Sequence, residues 1–157
     1  MNSKILLLVA CTIIGVLSSN TYGQERPAKS TTRDAKITSA VKAVLEAQRD
    51  AWNRGDLAGY MNGYHRSPGI VFISGDNLTR GWQTVFDRYQ KNYDSREKMG
   101  TLTFSDLETT VYSNDLVVMN GRWHLQRAKD EPHGRFTLIF RLTRQGWKIV
   151  QDHTSSA

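Results

Sequence analysis

The fold is decided near the end of the chain, by the stretch GRFTLIFRLTRQGWKIVQDH, which spans residues 134–153. Its first half alternates apolar with polar residues, and this period of two is typical of a strand that buries one face. The residues predicted to point inward are Phe136, Leu138, Phe140 and Leu142. Residues 144–146 predict a hairpin turn, and residues 147–153 predict a last strand.

Two more strands precede this hairpin. Residues 99–112 predict a strand whose alternation changes phase near Ser105-Asp106, and the extra residue of a β-bulge explains such a change. A turn at 113–115 leads into a second strand over 116–127. Strands that follow one another through short turns pair antiparallel, so we expect an antiparallel sheet that the bulge bends.

The chain before the sheet is mainly helical. Apolar residues repeat at spacings of three, four and seven over 37–52, which predicts an amphipathic helix. Asp34 is its predicted N-cap and Gly55 its predicted stop. Asp56 is predicted to cap a short second helix over 57–64.

A short strand and a third helix complete the domain. Residues 70–73 are apolar and β-branched or aromatic, and the turn 74–77 follows them. Thr79 is the predicted cap of a helix whose apolar face runs over 82–93. The order helix, helix, strand, helix and four strands predicts an α+β domain.

The first 23 residues have the pattern of a signal peptide. Lys4 supplies a positive start, and the apolar run over 5–17 is too short to span a bilayer. Cleavage is predicted after Gly23; lipidation at Cys11 and an uncleaved anchor are the alternatives. We therefore expect an exported protein, periplasmic or secreted, with no membrane attachment once the signal is removed.

The mature chain then has two parts. Residues 24–33 are polar and aperiodic, which predicts a flexible leader. Residues 34–155 form the predicted domain. Cys11 is the only cysteine, so a chain without its signal has no disulfide and no thiolate nucleophile.

The charge pattern excludes a nucleic-acid partner. The 157 residues carry a net charge of +6, but the basic residues are scattered, whereas a nucleic-acid site groups them beside aromatic residues. The four histidines show no spacing typical of a metal site. We predict neither a metal nor another cofactor.

Three segments carry a family resemblance: AWNRGDL at 51–57, GRW at 121–123 with GRFTLIFR at 134–141, and GWKIVQDHTS at 146–155. They resemble the nuclear-transport-factor-2-like superfamily, in particular its SnoaL-like and ketosteroid-isomerase-like members. The resemblance implies a cone-shaped, cystatin-like fold, in which three helices pack on a curved antiparallel sheet around an apolar pocket. It also implies a homodimer formed through the outer face of the sheet. Because this fold hosts isomerases, cyclases, dehydratases and binding domains, the resemblance does not identify the activity.

The catalytic positions of the steroid isomerases are not retained. Aligned on residues 55–57, the tyrosine of those enzymes falls near Gln48, and their protonated acid falls near Leu138. Their base falls near Ile73-Ser74, where a small alignment shift would substitute Asp76. The resemblance therefore does not imply steroid isomerisation.

The candidates for proton transfer are His153 and Asp76. Asp152 and His153 are adjacent in a strand and point to opposite faces, so they cannot pair with each other. His153 shares its face with Ile149; if that face is inward, the imidazole lies near the pocket mouth and suits a general base. The alternative is a structural histidine that holds the last strand against a helix end.

Aromatic residues are frequent on the helix stripes and strands. Tyrosine and tryptophan carry polar groups that need partners when buried, so the set suits a cavity with converging donors, or a plain core. The predicted ligand-binding residues are Tyr64, Trp82, Tyr89, Trp123 and, as a cation at the pocket rim, Arg135.

These patterns favour a binding protein, an exported homodimer that holds a small apolar or amphipathic molecule. The alternative is a cofactor-free isomerase, cyclase or dehydratase that moves a proton through His153 or Asp76 in the same pocket. A third candidate is a purely structural association domain. Ile139 and Val150, on the predicted outer face, fit a contact between two sheets.

Overall fold

The computed structural model describes residues 31–157. The predicted signal peptide, Cys11 and the leader up to residue 30 lie outside the described residues. The elements, in chain order, are α1 (Thr32–Asn53), α2 (Leu57–Met61), β1 (Val71–Ser74), β2 (Asn77–Arg80), α3 (Trp82–Asn92), α4 (Arg96–Met99), β3 (Thr101–Val111), β4 (Leu116–Gln126), β5 (His133–Thr143) and β6 (Gly146–Thr154). None of the described helices is long and apolar enough to cross a membrane.

The strands form one six-stranded sheet in the order β2-β1-β6-β5-β4-β3. The pairs β3–β4, β4–β5 and β5–β6 are antiparallel, as predicted, whereas β1 pairs with β6 in parallel. The parallel pair is possible because no hairpin joins β1 to β6: β2, two helices and three strands lie between them in the chain. The α+β class is confirmed, with two short elements, β2 and α4, that the sequence pattern did not predict.

The N-cap of helix α1 lies three residues before the predicted one. Thr31 is the N-cap, and its hydroxyl oxygen accepts a 3.1 Å bond from Asp34 N, while the Asp34 carboxylate accepts from Thr31 N. Asp34 is therefore the second partner of a capping box and not the N-cap itself. The helix ends at Asn53, and Gly55 follows with φ 85°, the left-handed conformation that suits glycine.

The predicted cap of α2 is confirmed, whereas the predicted cap of α3 is wrong. Asp56 caps α2 as predicted, with its carboxylate accepting a 2.7 Å bond from Gly59 N. Helix α2 ends at Met61, earlier than predicted. The predicted cap of α3, Thr79, lies instead in β2, opposite Phe72, and Gly81 is the N-cap. The reason is that residues 77–80 return along β1 as a hairpin before the helix starts.

Two bulges shape the sheet. The predicted one is confirmed: the β3–β4 register shifts between Ser105 and Glu108, and Asp106 has φ 52°. A second one was not predicted. Ile139 of β5 pairs with Gln151, but Phe140 pairs with Ile149, so Val150 is an extra residue in β6.

The core lies between α1 and the inner face of the sheet. The predicted inward residues Phe136, Leu138 and Phe140 are buried, but Leu142, which lies beside the turn between β5 and β6, is 48% exposed. Helix α1 is fixed to the sheet edge by Asn53, whose side chain bonds both the backbone N and the backbone O of Leu102. This anchor holds the helix over the sheet and leaves a cavity beneath it.

Candidate functional site

A cavity of about 150 Å³ lies between the helices and the inner face of the sheet. Helices α1, α2 and α3 and every strand except β2 contribute to its wall. The wall is mostly aromatic and aliphatic, with a small number of polar groups, which is the usual character of a small-molecule site. Among the described residues that form this wall, Asp152 is the only acid.

Asp152 is the most unusual group of this wall. It is 6% exposed, and its Oδ2 atom accepts a 2.7 Å bond from the Tyr64 hydroxyl. Its Oδ1 atom is buried and has no hydrogen-bond partner among the described residues. Burial raises the pKa of the Asp152 carboxyl to about 7, and the bond from Tyr64 opposes this rise in part. Near neutral pH this carboxyl is therefore able both to give and to take a proton.

The backbone positions Tyr64 beside Asp152. His65 N donates to Ile149 O, and Ile149 N donates to Gly63 O, both at 2.9 Å. These bonds form a short parallel bridge between Tyr64 and Ile149 in β6. Because Ile149 lies three residues before Asp152, the bridge brings the Tyr64 ring level with the carboxyl group.

Two further tyrosine hydroxyls lie on the cavity wall. The oxygens of Tyr60 and Tyr89 are 3.4 Å apart, and the two rings are in contact, with centroids separated by 5.3 Å. Burial raises the pKa of Tyr60 to about 12, and burial raises the pKa of Tyr89 well above its usual value. Both hydroxyls consequently keep their protons at physiological pH and serve as hydrogen-bond donors.

The cavity opens where its wall residues are partly exposed. Arg88 and Asn92, one turn apart on α3, form one side of this mouth, and Ser74 and Thr154 form another. The Arg88 guanidinium lies over the Phe72 ring, 5.3 Å from its centroid. Arg88 is the only cation on the described wall.

The last residues of the chain close the cavity beside β5. Trp123 Nε1 donates a 3.0 Å bond to Ser155 O, and Ser155 N and Ala157 N bond to the backbone oxygens of β5. A side chain at Gly134 would collide with the Ser155 oxygen, so this close approach requires glycine.

The predicted ligand-binding residues divide into two groups. Tyr64, Tyr89 and Trp123 line the cavity. Trp82 is buried but lies behind the wall, with its indole N–H donating to Met61 O at 3.1 Å. Arg135 is exposed on the outer face of the sheet, because it alternates with the inward Phe136, so the interpretation as a cation at the pocket rim is wrong.

Neither predicted catalytic residue borders the cavity. The extra residue Val150 reverses the faces of β6, so Asp152 points inward and His153 points outward. His153 lies beside Arg135 in an open groove on the outer face. The prediction that it lies at the pocket mouth is therefore wrong. Asp76 is exposed in the turn between β1 and β2. Asp152 was not predicted as a site residue because strict alternation places it on the face opposite Ile149. With a bulge at Val150, Asp152 and Ile149 share the inward face.

The steroid-isomerase positions do border the same cavity. Gln48, Ser74 and Leu138 are all on its wall, and Gln48 Nε2 donates to Tyr60 O at 2.9 Å. Leu138 pairs directly with Asp152 across β5 and β6. The carboxyl group of this chain thus lies one strand away from the place where the resemblance expected an acid.

The comparisons with known proteins agree with this architecture. Residues 41–157 match the family model described as a SnoaL-like domain. The chain is similar to a solved NTF-2-like protein of unknown function from Shewanella oneidensis MR-1, with 38% identity and a TM-score of 0.73. That match covers 76% of this chain and 98% of the other. No curated protein matches the chain.

More distant structures share the fold. A nuclear transport factor 2 superfamily protein from Salmonella enterica is 18% identical, with a TM-score of 0.61. A protein of unknown function with a cystatin-like fold from Nostoc punctiforme is 8% identical, with a TM-score of 0.64. Each match covers 78% of this chain and 92% of the other. At these identities the likeness shows the fold alone.

Proposed function

The chain belongs to the SnoaL-like family, and we propose that it binds a small, mainly apolar molecule in the cavity and exchanges a proton with it through Asp152. The observation that carries this proposal is the Asp152 carboxyl itself. Burying an acid with one oxygen unpaired costs free energy that a purely structural core avoids. A ligand with a hydroxyl or carbonyl group supplies the missing partner.

The size of the cavity limits the ligand. A dry engineered cavity of about 150 Å³ in another protein holds benzene. The present cavity has a similar volume and opens at the Arg88 side, so one six-membered ring with short substituents fits it. Its aromatic walls favour a flat or alicyclic ring.

The arrangement suits proton transfer next to a carbonyl group. The Asp152 carboxylate takes a proton from the carbon, the electrons of that C–H bond form a C=C bond, and the carbonyl oxygen becomes negative. The hydroxyls of Tyr60 and Tyr89 donate hydrogen bonds to this oxygen. The Asp152 carboxyl then returns its proton to another carbon, which is an isomerisation, or to a departing hydroxyl group, which is a dehydration.

Hydrogen–deuterium exchange tests this chemistry without the natural substrate. Acetophenone and cyclohexanone are incubated with the protein in D₂O, and loss of the α-proton signals is followed by NMR. We expect exchange faster than in buffer, and a loss of about 100-fold in Asp152→Asn, the range of general-base contributions. Asp76→Asn, an acid outside the cavity, is the matched control. Equal rates for wild type and Asp152→Asn would contradict the proposal.

Binding without chemistry is the second candidate function. It is favoured by the composition of the wall, on which Asp152 has no histidine or second carboxylate beside it within the described residues. Under this alternative the same ketones bind, and Asp152→Asn weakens them, but no α-proton exchanges.

We also propose that the protein is exported and that it forms a homodimer. Ile139 and Val150, on the outer face of the sheet, are half-buried in the single chain and are available for a contact with a second copy. Native mass spectrometry of the protein from the exported fraction of its host tests both points. A dimer that begins at Gln24 supports them, and a monomer that retains residues 1–23 contradicts them.

A further inference from the structure

Arg88 has an unusual environment for a cation at the mouth of an apolar cavity. It is half-buried, and among residues 31–157 it forms no ion pair. Its hydrogen bond to Thr79 Oγ1 measures 3.4 Å, longer than the usual 2.7–3.2 Å for such a bond. The nearest acid on its helix, Asp87, is bonded to Gln83 instead.

The positive charge of Arg88 acts on the cavity interior. Burial raises the pKa of the Tyr93 hydroxyl, and the charges of Arg127 and Arg88 lower it in part. Tyr93 itself lines the cavity, so the charge of Arg88 acts on a group of its wall. A guanidinium presents several N–H donors in a planar arrangement that suits a carboxylate.

Asp152, which is buried in the cavity wall whereas Arg88 is partly exposed, has the reverse preference. Asp152 repels an anion when it is ionised and offers a neutral O–H donor when it is protonated. A ligand with one anionic end therefore has a single favourable orientation, with its anion at Arg88 and its neutral oxygen at Asp152. Asn92, one turn from Arg88, adds an amide donor at the mouth.

We infer that the ligand is a ring-sized carboxylate, whose carboxylate group Arg88 binds at the cavity mouth while a hydroxyl or carbonyl oxygen lies at Asp152. This inference rests on the proposed function and names its substrate class. Apolar walls provide contact area for the ring, and the two polar ends fix its direction. Arg88 thereby selects acids over neutral molecules of the same shape.

Matched acids and amides test the inference. The probes are 4-hydroxybenzoate, 4-hydroxyphenylacetate and 3-(4-hydroxyphenyl)propanoate, each compared with its own primary amide by isothermal titration calorimetry. The three chain lengths cover a range of distances between the two ends. For the best-fitting length, the acid is expected to bind about tenfold tighter than the amide, since hydrogen bonds to charged groups are worth that much or more.

Variants of Arg88 separate a binding role from a structural one. Arg88→Gln is expected to reduce the affinity of the acid to that of the amide and to leave the amide unchanged. Arg88→Lys keeps the charge and should retain part of the preference. Arg66→Gln is the matched control, because Arg66 also lies over an aromatic ring, that of Trp82, but outside the cavity wall.

The possible failures are distinguishable. Equal affinities of acid and amide for wild type, or an equal loss of both in Arg88→Gln, overturn the inference and leave the proposed function standing. If neither acids nor amides bind, the proposed ring-sized ligand is wrong and the proposed function fails with it. Weakening of the acid, but not the amide, by 0.5 M salt is the result that supports an ion pair at the mouth.

Discussion

Tyr64 donates a 2.7 Å hydrogen bond to Asp152 across 88 positions of the sequence, and this pair connects the helical half of the fold to its last strand. The bond stabilises the ionised form of a carboxyl that burial disfavours. The balance of the two effects leaves the group close to half-protonated near neutral pH. A pKa close to the working pH is the value at which one group is best suited to act as both base and acid.

Asp152 should make the protein less stable as the pH rises. Its pKa is about 7 in the folded state and 3.8 without the fold, so the folded state holds its proton more tightly. The contribution of Asp152 to the free energy of unfolding is therefore complete below pH 3.8. It is lost as the pH rises to about 7, and the loss is roughly 4 kcal/mol at most. Asp152→Asn should lack this decline. Urea unfolding between pH 4 and pH 9 measures both proteins, and parallel curves for the two would exclude a raised pKa.

Tyr64→Phe should extend that decline to higher pH. Without the hydroxyl donor, nothing in the described chain bonds to the carboxylate, so the pKa of Asp152 rises above its wild-type value. In the same unfolding series, the pH at which the free energy becomes constant should move upward. Tyr112→Phe, an exposed tyrosine at the end of the sheet, should leave the curve unchanged. A downward movement in Tyr64→Phe would show that the bond favours the protonated acid.

Gly134→Ala should open the cavity beside β5. The added methyl group collides with the Ser155 backbone, so the last residues must move and the bond from Trp123 to Ser155 is lost. Such overpacking costs about 1–3 kcal/mol of folding free energy, and the affinity for ring-sized probes should fall as well. Gly69→Ala is the control, because its methyl group meets only the Ser67 hydroxyl. An unchanged stability would show that the terminal residues are not packed there.

Asp106→Gly should stabilise the protein, by up to about 1 kcal/mol, because glycine adopts the positive φ of the bulge without strain. The same substitution at Asp87 should have the opposite sign. Asp87 lies within α3, where glycine costs about 1 kcal/mol in backbone entropy, and its bond from Gln83 is also lost. Thermal or urea unfolding of the two variants is sufficient, and a destabilised Asp106→Gly would indicate that the aspartate side chain supports the bulge.

The sequence was informative wherever a local pattern determined the structure. The cap at Asp56, the stop at Gly55 and the bulge near Ser105-Asp106 each depend on a few neighbouring residues, and each is confirmed. Strand β2 was not predicted because four mostly polar residues have no alternation of their own. They form a strand only because β1 lies beside them.

The site depended on contacts that no local pattern reveals. The bulge at Val150 was not predicted from the sequence of β6, yet it exchanges the faces of Asp152 and His153. Strict alternation therefore placed His153 on the face of Ile149, and Asp152 on the opposite face. Tyr64 and Tyr89 were predicted to line a cavity from the aromatic stripes of the helices, and both do. Arg88 was not singled out, because a lone arginine on a helix resembles any solvated charge.

A carbon-13 NMR titration of the Asp152 carboxyl, with and without 4-hydroxybenzamide, tests the central claim most directly. Asp152→Asn identifies the signal. The account predicts a pKa of about 7 in the free protein, and a clear change in that pKa when the probe occupies the cavity. A carboxyl that titrates near 3.8 and does not respond to the probe would contradict both the buried acid and its role in binding.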